Sequence, residues 1–284
     1  MDRVSAKLRY GGFLELAGRS RAAGRAYALA CGGAQMRADS RRADAATRRI
    51  QAWTGLEPRP ARDAYRDSLI SEAQEEADSA YFSRHPEAFG AWLPGPEAVA
   101  RTAGPLIYAT LHLGHPVLSC VYLRRHGRSD VRPIIRGLDA ANPMMDPKRR
   151  WGERKVAWVR GLMGGEIFGV DAVSSARVRE YLLAGGAVFA AFDVPGDVSD
   201  RSSSVDLFGE RLRFSSGILS LAKMTAATIL PVVALSGREK MSVHFGNPIS
   251  GASPDAVEAT FAEFARFIQR FPDQWWLWPY MRAE

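Results

Sequence analysis

The twelve residues LIYATLHLGHPV (106–117) decide the fold. LIYATL (106–111) is an uncharged apolar run of strand length, and a histidine, a glycine and a proline follow at once. That is how a buried strand stops and a helix begins. Similar runs recur downstream as VRPIIR (131–136), GEIFGV (165–170), AVFAAFDV (187–194) and TILPVVAL (228–235). Helical stretches lie between several of them, including SARVREYLLA (175–184) and SGILSLAKMTAA (216–227). Apolar strands alternating with helices predict an α/β fold with a mostly parallel sheet and helices covering both faces. VDLFGERLRF (205–214) reads as a hairpin, MSVHFGNPI (241–249) as an extra strand, and DAVEATFAEFARFIQRF (255–271) as an amphipathic helix.

Upstream of residue 100 the pattern is helical. One helix is expected within 3–37, a second from Ser40 as N-cap to Gly55, and a third from about Pro60 to Ser83. In the third, Tyr65, Leu69, Ala73, Ala77 and Ala80 recur at three- and four-residue spacing, which predicts one buried face. HPEAFGAWLPGPEAV (85–99) holds three prolines and two glycines and reads as a connection. The expected organisation is one domain, with a helical segment over 1–95 and an α/β core over 100–284.

The whole chain carries a formal charge of +7, whereas residues 1–62 alone carry 13 Lys/Arg and 5 Asp/Glu, a net of +8. The basic character therefore lives in the N-terminal segment. Such a segment suits either an anionic membrane surface or plain solvation. Nucleic acid is not expected, because no nucleic-acid-binding motif accompanies the charge. Cys31 and Cys120 are the only cysteines, too few for a disulfide framework, so a reducing compartment fits. No run of 18 apolar residues occurs, and MDRVSAKLRYGGFLELAGRSR (1–21) lacks the apolar core of a signal peptide. The expected location is cytoplasmic, either free or peripheral on the cytoplasmic face of the inner membrane.

In open α/β sheets, ligands bind beyond the carboxyl ends of the strands. His112 follows LIYATL directly and Asp193 closes AVFAAF, so both belong to that rim. A neutral imidazole accepts a proton from an attacking hydroxyl, and a carboxylate fixes its tautomer. The competing reading of His112 is a packed or helix-capping histidine.

The order of the pieces resembles the lipid A late acyltransferases and the acyltransferases of phosphatidylinositol mannosides, within the glycerolipid acyltransferase superfamily. The resemblance spans roughly residues 60 to 284. It rests on the strand followed by His112, on Arg136 leading to Asn142-Pro143, and on Asp193 at a strand end. Phe208-Gly209, Ser216-Gly217 and Gln274-Trp275 complete it. It implies transfer of a fatty or polyketide-like acyl chain from an acyl carrier protein or coenzyme A thioester to a hydroxyl or amine. His112 is then the general base, and no cofactor is needed beyond the donor. The family's motif is His, four residues, then Asp or Glu. Here the acid's place is taken by Val117, and His115 is followed at the same distance by Cys120. A valine accepts no hydrogen bond. Three readings stay open. Asp193 supplies the partner, with Asp197 behind it; or His112 works without a carboxylate; or the protein is a catalytically degenerate acyl-binding scaffold.

Other residues carry paired readings. His115 either contacts substrate or stands in the first helical turn. Arg136 either holds a phosphate or carboxylate or is an ordinary rim arginine. Lys148, Arg149, Arg150, Arg154 and Lys155 either engage the acyl carrier protein or coenzyme A phosphates, or form a solvated helix face. Ser215, Ser216 and Gly217 either hold an oxyanion at a helix N-terminus or simply cap it. Cys120 is a nucleophile only if a base is near, and is otherwise a buried structural thiol. Trp275, Trp276 and Trp278 either reach a membrane interface or close the core. No metal-ligand spacing and no glycine-rich phosphate loop occur.

Overall fold

The computed structural model describes residues 8–93, 103–135, 146–165, 167–195, 202–237 and 240–281. The architecture is α/β: a mixed, mostly parallel sheet preceded by a helical N-terminal segment. After a π-helical stretch (Leu8–Phe13) and a short α-turn (Leu14–Ala17) come α1 (Arg21–Ala38), α2 (Ser40–Thr54), α3 (Pro58–Phe82) and α4 (Pro86–Trp92). The core then runs β1 (Leu106–Thr110), α5 (Pro116–His126), β2 (Arg132–Pro133), α6 (Asp146–Leu162), α7 (Ala172–Leu183) and β3 (Ala187–Ala191). It ends with β4 (Ser202–Leu207), β5 (Glu210–Ser215), α8 (Gly217–Thr225), β6 (Thr228–Leu235), β7 (Ser242–Phe245), β8 (Ile249–Ser250) and α9 (Ala256–Arg270).

The strand order is β2-β3-β1-β6-β7, and β8 also pairs with β6. β1, β2, β3 and β6 are mutually parallel, while β7 and β8 are antiparallel to β6. β4 and β5 form a separate hairpin. Pro231 sits inside β6 without breaking it. β8 pairs with residues 228–229 and β7 with 232–235, so the proline falls between two partners where no backbone N–H is required.

Side chains alternate across the sheet. Ile107, Ala109, Val188, Ala190, Ile229 and Val233 pack on one face with α2, the first half of α3, α7, α8 and α9. Leu106, Tyr108, Ala187, Phe189, Leu230 and Val232 pack on the other with α4, α5 and α6. Trp53, Tyr65 and Leu69 belong to the first of these clusters, so the N-terminal helices and the sheet share a core. Tyr65, Leu69, Ala73, Ala77 and Ala80 are all buried, as their spacing predicts.

Several sequence expectations need correction. Asp39, not Ser40, caps α2: its Oδ1 accepts the Arg42 N–H at 3.0 Å, and Ser40 is already helical. The 85–99 stretch is not all connection, because α4 occupies Pro86–Trp92, with the proline at the first helical position where it is tolerated. VRPIIR yields only two strand residues, and GEIFGV only an isolated bridge from Ile134 to Phe168. Pro133 lacks an N–H and limits β2 to the sheet edge.

Candidate active site

β1 and β3 are parallel neighbours, with Thr110 opposite Ala191. His112 and Asp193 each stand two residues further on, so the register alone sets them side by side beyond the carboxyl ends of the strands. The chain must then turn sharply, and Gly114 does this at φ +62°, where a Cβ would collide with the Ala234 carbonyl oxygen. Only glycine fits both the backbone angle and the gap. The turn is pinned to the C-terminal segment. The Gly114 N–H donates to the Gln274 carbonyl (3.0 Å), the Trp276 N–H donates to the His112 carbonyl (2.9 Å), and Leu113 bridges Trp275 antiparallel.

Asp193 is 1% exposed. A carboxylate so deep requires compensation, and three donors provide it. The His112 backbone N–H reaches Oδ2 at 2.7 Å, the Trp275 indole N–H reaches the same oxygen at 2.9 Å, and His112 Nδ1 lies 2.8 Å from Oδ1. Because the carboxylate only accepts, Nδ1 carries a proton and the neutral ring presents its lone pair at Nε2. Nε2 has no hydrogen-bond partner among the described residues, and the side chain is 36% exposed. Burial works to lower the His112 pKa, but the attraction and hydrogen bond of Asp193 outweigh it, and the net shift is upward. The charge of Glu72 on α3 adds to this rise and that of Lys155 on α6 opposes it.

Ser215 donates its N–H to the Val194 carbonyl at 2.9 Å, which brings the N-terminus of α8 beside the residue after Asp193. Ser216 precedes that helix without a side-chain cap bond. His112 and Asp193 thus share one rim, as their strand positions predict, and the Ser216–Gly217 helix start lies next to the chain that leaves Asp193.

The other predicted residues fall elsewhere. His115 is a correction. It is fully buried, with Nε2 3.1 Å from Asp78 Oδ2 and its ring edge-on to Trp92, so it faces α3 and not a substrate. The left-handed Gly114 between the two histidines sends them in different directions. Val117 packs against the second hydrophobic cluster. The basic run lies on α6 and is largely paired: Lys148 with Glu72 (3.8 Å), Arg149 with Asp146 (2.7 Å), Arg154 with Glu15 (3.2 Å) and Lys155 with Glu75 (2.5 Å). Arg150 is exposed with no ion pair among the described residues. Cys120 is buried, and burial pushes its thiol pKa up, which makes it a structural thiol. Arg136, Asn142, Pro143 and Asp197 lie outside the described residues. Trp275 and Trp278 are fully buried and stack around Trp53, so they close the core.

Two features escaped sequence reasoning. Trp275 is a hydrogen-bond donor to Asp193 as well as a core residue; its place beside Gln274 singled it out without revealing that bond. Four acids on α3, namely Glu72, Glu75, Glu76 and Asp78, lie along its route over the sheet, and the last three are buried. Glu76 accepts from Arg9, Tyr10 and Tyr27, so its charge is compensated by these three donors.

No group of three or more potential metal ligands occurs among the described residues, and no described helix is long and apolar enough to cross a membrane. The chain matches no protein-family model and has no significant match among curated proteins.

Proposed function

We propose that the protein is an acyltransferase that moves a fatty or polyketide-like acyl chain from an acyl carrier protein or coenzyme A thioester to a hydroxyl or amine. The observation that carries this reading is the His112–Asp193 pair: Nδ1 held by a buried carboxylate at 2.8 Å, and Nε2 unpartnered and accessible at the rim of a parallel sheet. His112 Nε2 takes the proton of the acceptor hydroxyl as its oxygen attacks the thioester carbonyl carbon. The tetrahedral adduct collapses, the C–S bond breaks, and the imidazolium returns the proton to the departing thiolate. Asp193 holds the ring and stabilises its cation. Asp193 thus takes the part of the acid that Val117 does not supply.

The resemblance to lipid A-type and phosphatidylinositol mannoside acyltransferases supports the choice of an acyl thioester over other electrophiles. Peripheral binding to an anionic membrane, on the cytoplasmic face of the inner membrane, completes the proposal. Its support is the basic N-terminal segment, in which Phe13, Leu16 and Leu29 are exposed. Arg150 remains the residue of the α6 run best placed to meet an acidic carrier protein, since its neighbours are paired.

The test is release of free thiol from palmitoyl-coenzyme A and from palmitoyl-acyl carrier protein by purified protein, with and without His112→Ala. Consumption that disappears in the variant supports the reading. Unchanged consumption discards His112 as the base, and carrier-protein binding without turnover favours a degenerate scaffold.

A further inference from the structure

The turn that carries His112 is held from two sides. On the sheet side, the His115 N–H donates to the Ala234 carbonyl of β6 at 2.7 Å, while the Gly114 N–H and the His112 carbonyl bond to residues 274 and 276. On the other side, α3 brings Asp78 to the His115 ring, where Nε2 lies 3.1 Å from Oδ2. Asp78 is 2% exposed and His115 is not exposed at all. The second oxygen of Asp78, Oδ1, accepts from the Gln74 amide at 2.9 Å. Trp92 of α4 stands edge-on to the His115 ring, with centroids 5.1 Å apart.

Stability does not account for this choice of residues. Burying a carboxylate beside an imidazole costs desolvation, and an apolar pair of similar volume is often as stable or more so. The chemistry described for His112 uses neither residue. What the pair does hold is the backbone three residues from the base, and that stretch has little slack. Gly114 lies so close to β6 that a Cβ would collide with the Ala234 carbonyl oxygen, and Pro116 fixes its own φ on the far side. Packed interiors transmit a displacement rather than absorb it. A shift of the His115 ring is therefore passed along the turn to His112, whose backbone N–H and ring both bond to Asp193.

We propose that Asp78 is a positioning residue: through His115 it sets where the His112 ring stands against Asp193, and so ties the base to the N-terminal helical segment. Its part in turnover rests on the acyltransferase reading; the coupling between Asp78 and the His112 ring does not.

Two variants of the full chain separate position from charge. Asp78→Asn removes the charge and keeps the size; its amide offers an oxygen or an NH2 to each neighbour, and the Gln74 amide can turn to match. Asp78→Glu keeps the charge and adds one methylene, which displaces the His115 ring in a fully buried site. Asp193, Glu72 and Lys155, whose charges act on His112, stay in place in both. Nitrogen-15 NMR reads the His112 midpoint, and thiol release from palmitoyl-coenzyme A reads kcat and KM. Asp78→Asn is expected to leave the midpoint and kcat close to those of the parent. Asp78→Glu should lower kcat by about tenfold to 10²-fold with KM little changed. It should also move the midpoint down towards the ordinary value of about 6.5, as the bond from Nδ1 to Asp193 is strained. If Asp78→Glu does not melt cooperatively, Asp78→Ala combined with His115→Phe takes its place with the same expectation. That pair is apolar, similar in total size, and keeps a ring against Trp92. The midpoint decides the coupling, and kcat decides its part in turnover. A midpoint unmoved by Asp78→Glu, or moved as far by Asp78→Asn, overturns the proposal. An unmoved midpoint alongside thiol release that needs His112 sinks the positioning role and leaves the acyltransferase reading standing. A midpoint moved by Asp78→Glu alone, in a protein that releases no thiol, does the reverse.

Discussion

Asp193→Asn should switch off catalysis without disturbing the fold, by moving one proton. Oδ2 of Asp193 receives two obligate donors, the His112 backbone N–H at 2.7 Å and the Trp275 indole N–H at 2.9 Å. The asparagine oxygen must therefore take the Oδ2 position, because an NH2 group there would face two N–H groups. Its NH2 is then left facing Nδ1, in place of the Oδ1 that stood 2.8 Å away. Nδ1 becomes an acceptor, the neutral ring carries its proton on Nε2, and Nε2 can no longer take one from substrate. In serine proteases the same replacement keeps the geometry and lowers kcat about 10⁴-fold. That corresponds to about 5.5 kcal/mol of barrier. A loss of about 10³- to 10⁴-fold in kcat with KM little changed is expected here. Thiol release from an acyl thioester, with thermal melts to confirm folding, measures it. A variant within about tenfold of the parent would refute the argument, since that is only about 1.4 kcal/mol.

Four other outcomes follow from the contacts already described. The His112 pKa is raised, and the base works deprotonated, so kcat/KM should rise with pH along a limb centred above the ordinary value of about 6.5. The same linkage contributes stability that is fully present below about pH 6.5 and is lost as pH rises through the raised value; urea melts across that window should show it. Trp275→Phe keeps most of the ring volume but removes one of three donors to Asp193, so urea unfolding should show a loss of about 1.5–3 kcal/mol and the thiol-release assay a lower kcat. Lys155→Met leaves the buried Glu75 with only the Ser79 hydroxyl (3.3 Å) among the described residues and should destabilise by about 3–5 kcal/mol; a loss below about 1 kcal/mol would show that Glu75 is compensated otherwise.

The His112–Asp193 pair was legible because it follows from a sheet rule. Once LIYATL and AVFAAF are strands, the polar residue after each must stand on the same edge, and the register makes them opposite. His115 was misplaced because spacing in sequence says nothing of direction after a left-handed glycine: Gly114 separates the two rings, and one of them goes under α3. The α6 cations were ambiguous because their partners, Glu72, Glu75 and Glu15, are distant in sequence. No local pattern reports such pairs. The indole bond from Trp275 to Asp193 joins residues 82 apart and is equally silent. Pro86 misled in the opposite direction, because a proline that ends one helix also starts the next, and Phe89 and Trp92 at three-residue spacing were the sign that it does.

The ionisation and tautomer of one side chain test the account most directly. Nitrogen-15 NMR of the His112 ring, assigned by comparison with His112→Ala, reports both without any substrate. The proton on Nδ1 in the neutral form, and a midpoint above about 6.5, are the predicted results. A neutral ring protonated on Nε2, or a midpoint below that of a free histidine, would contradict the pairing with Asp193 on which the chemistry depends.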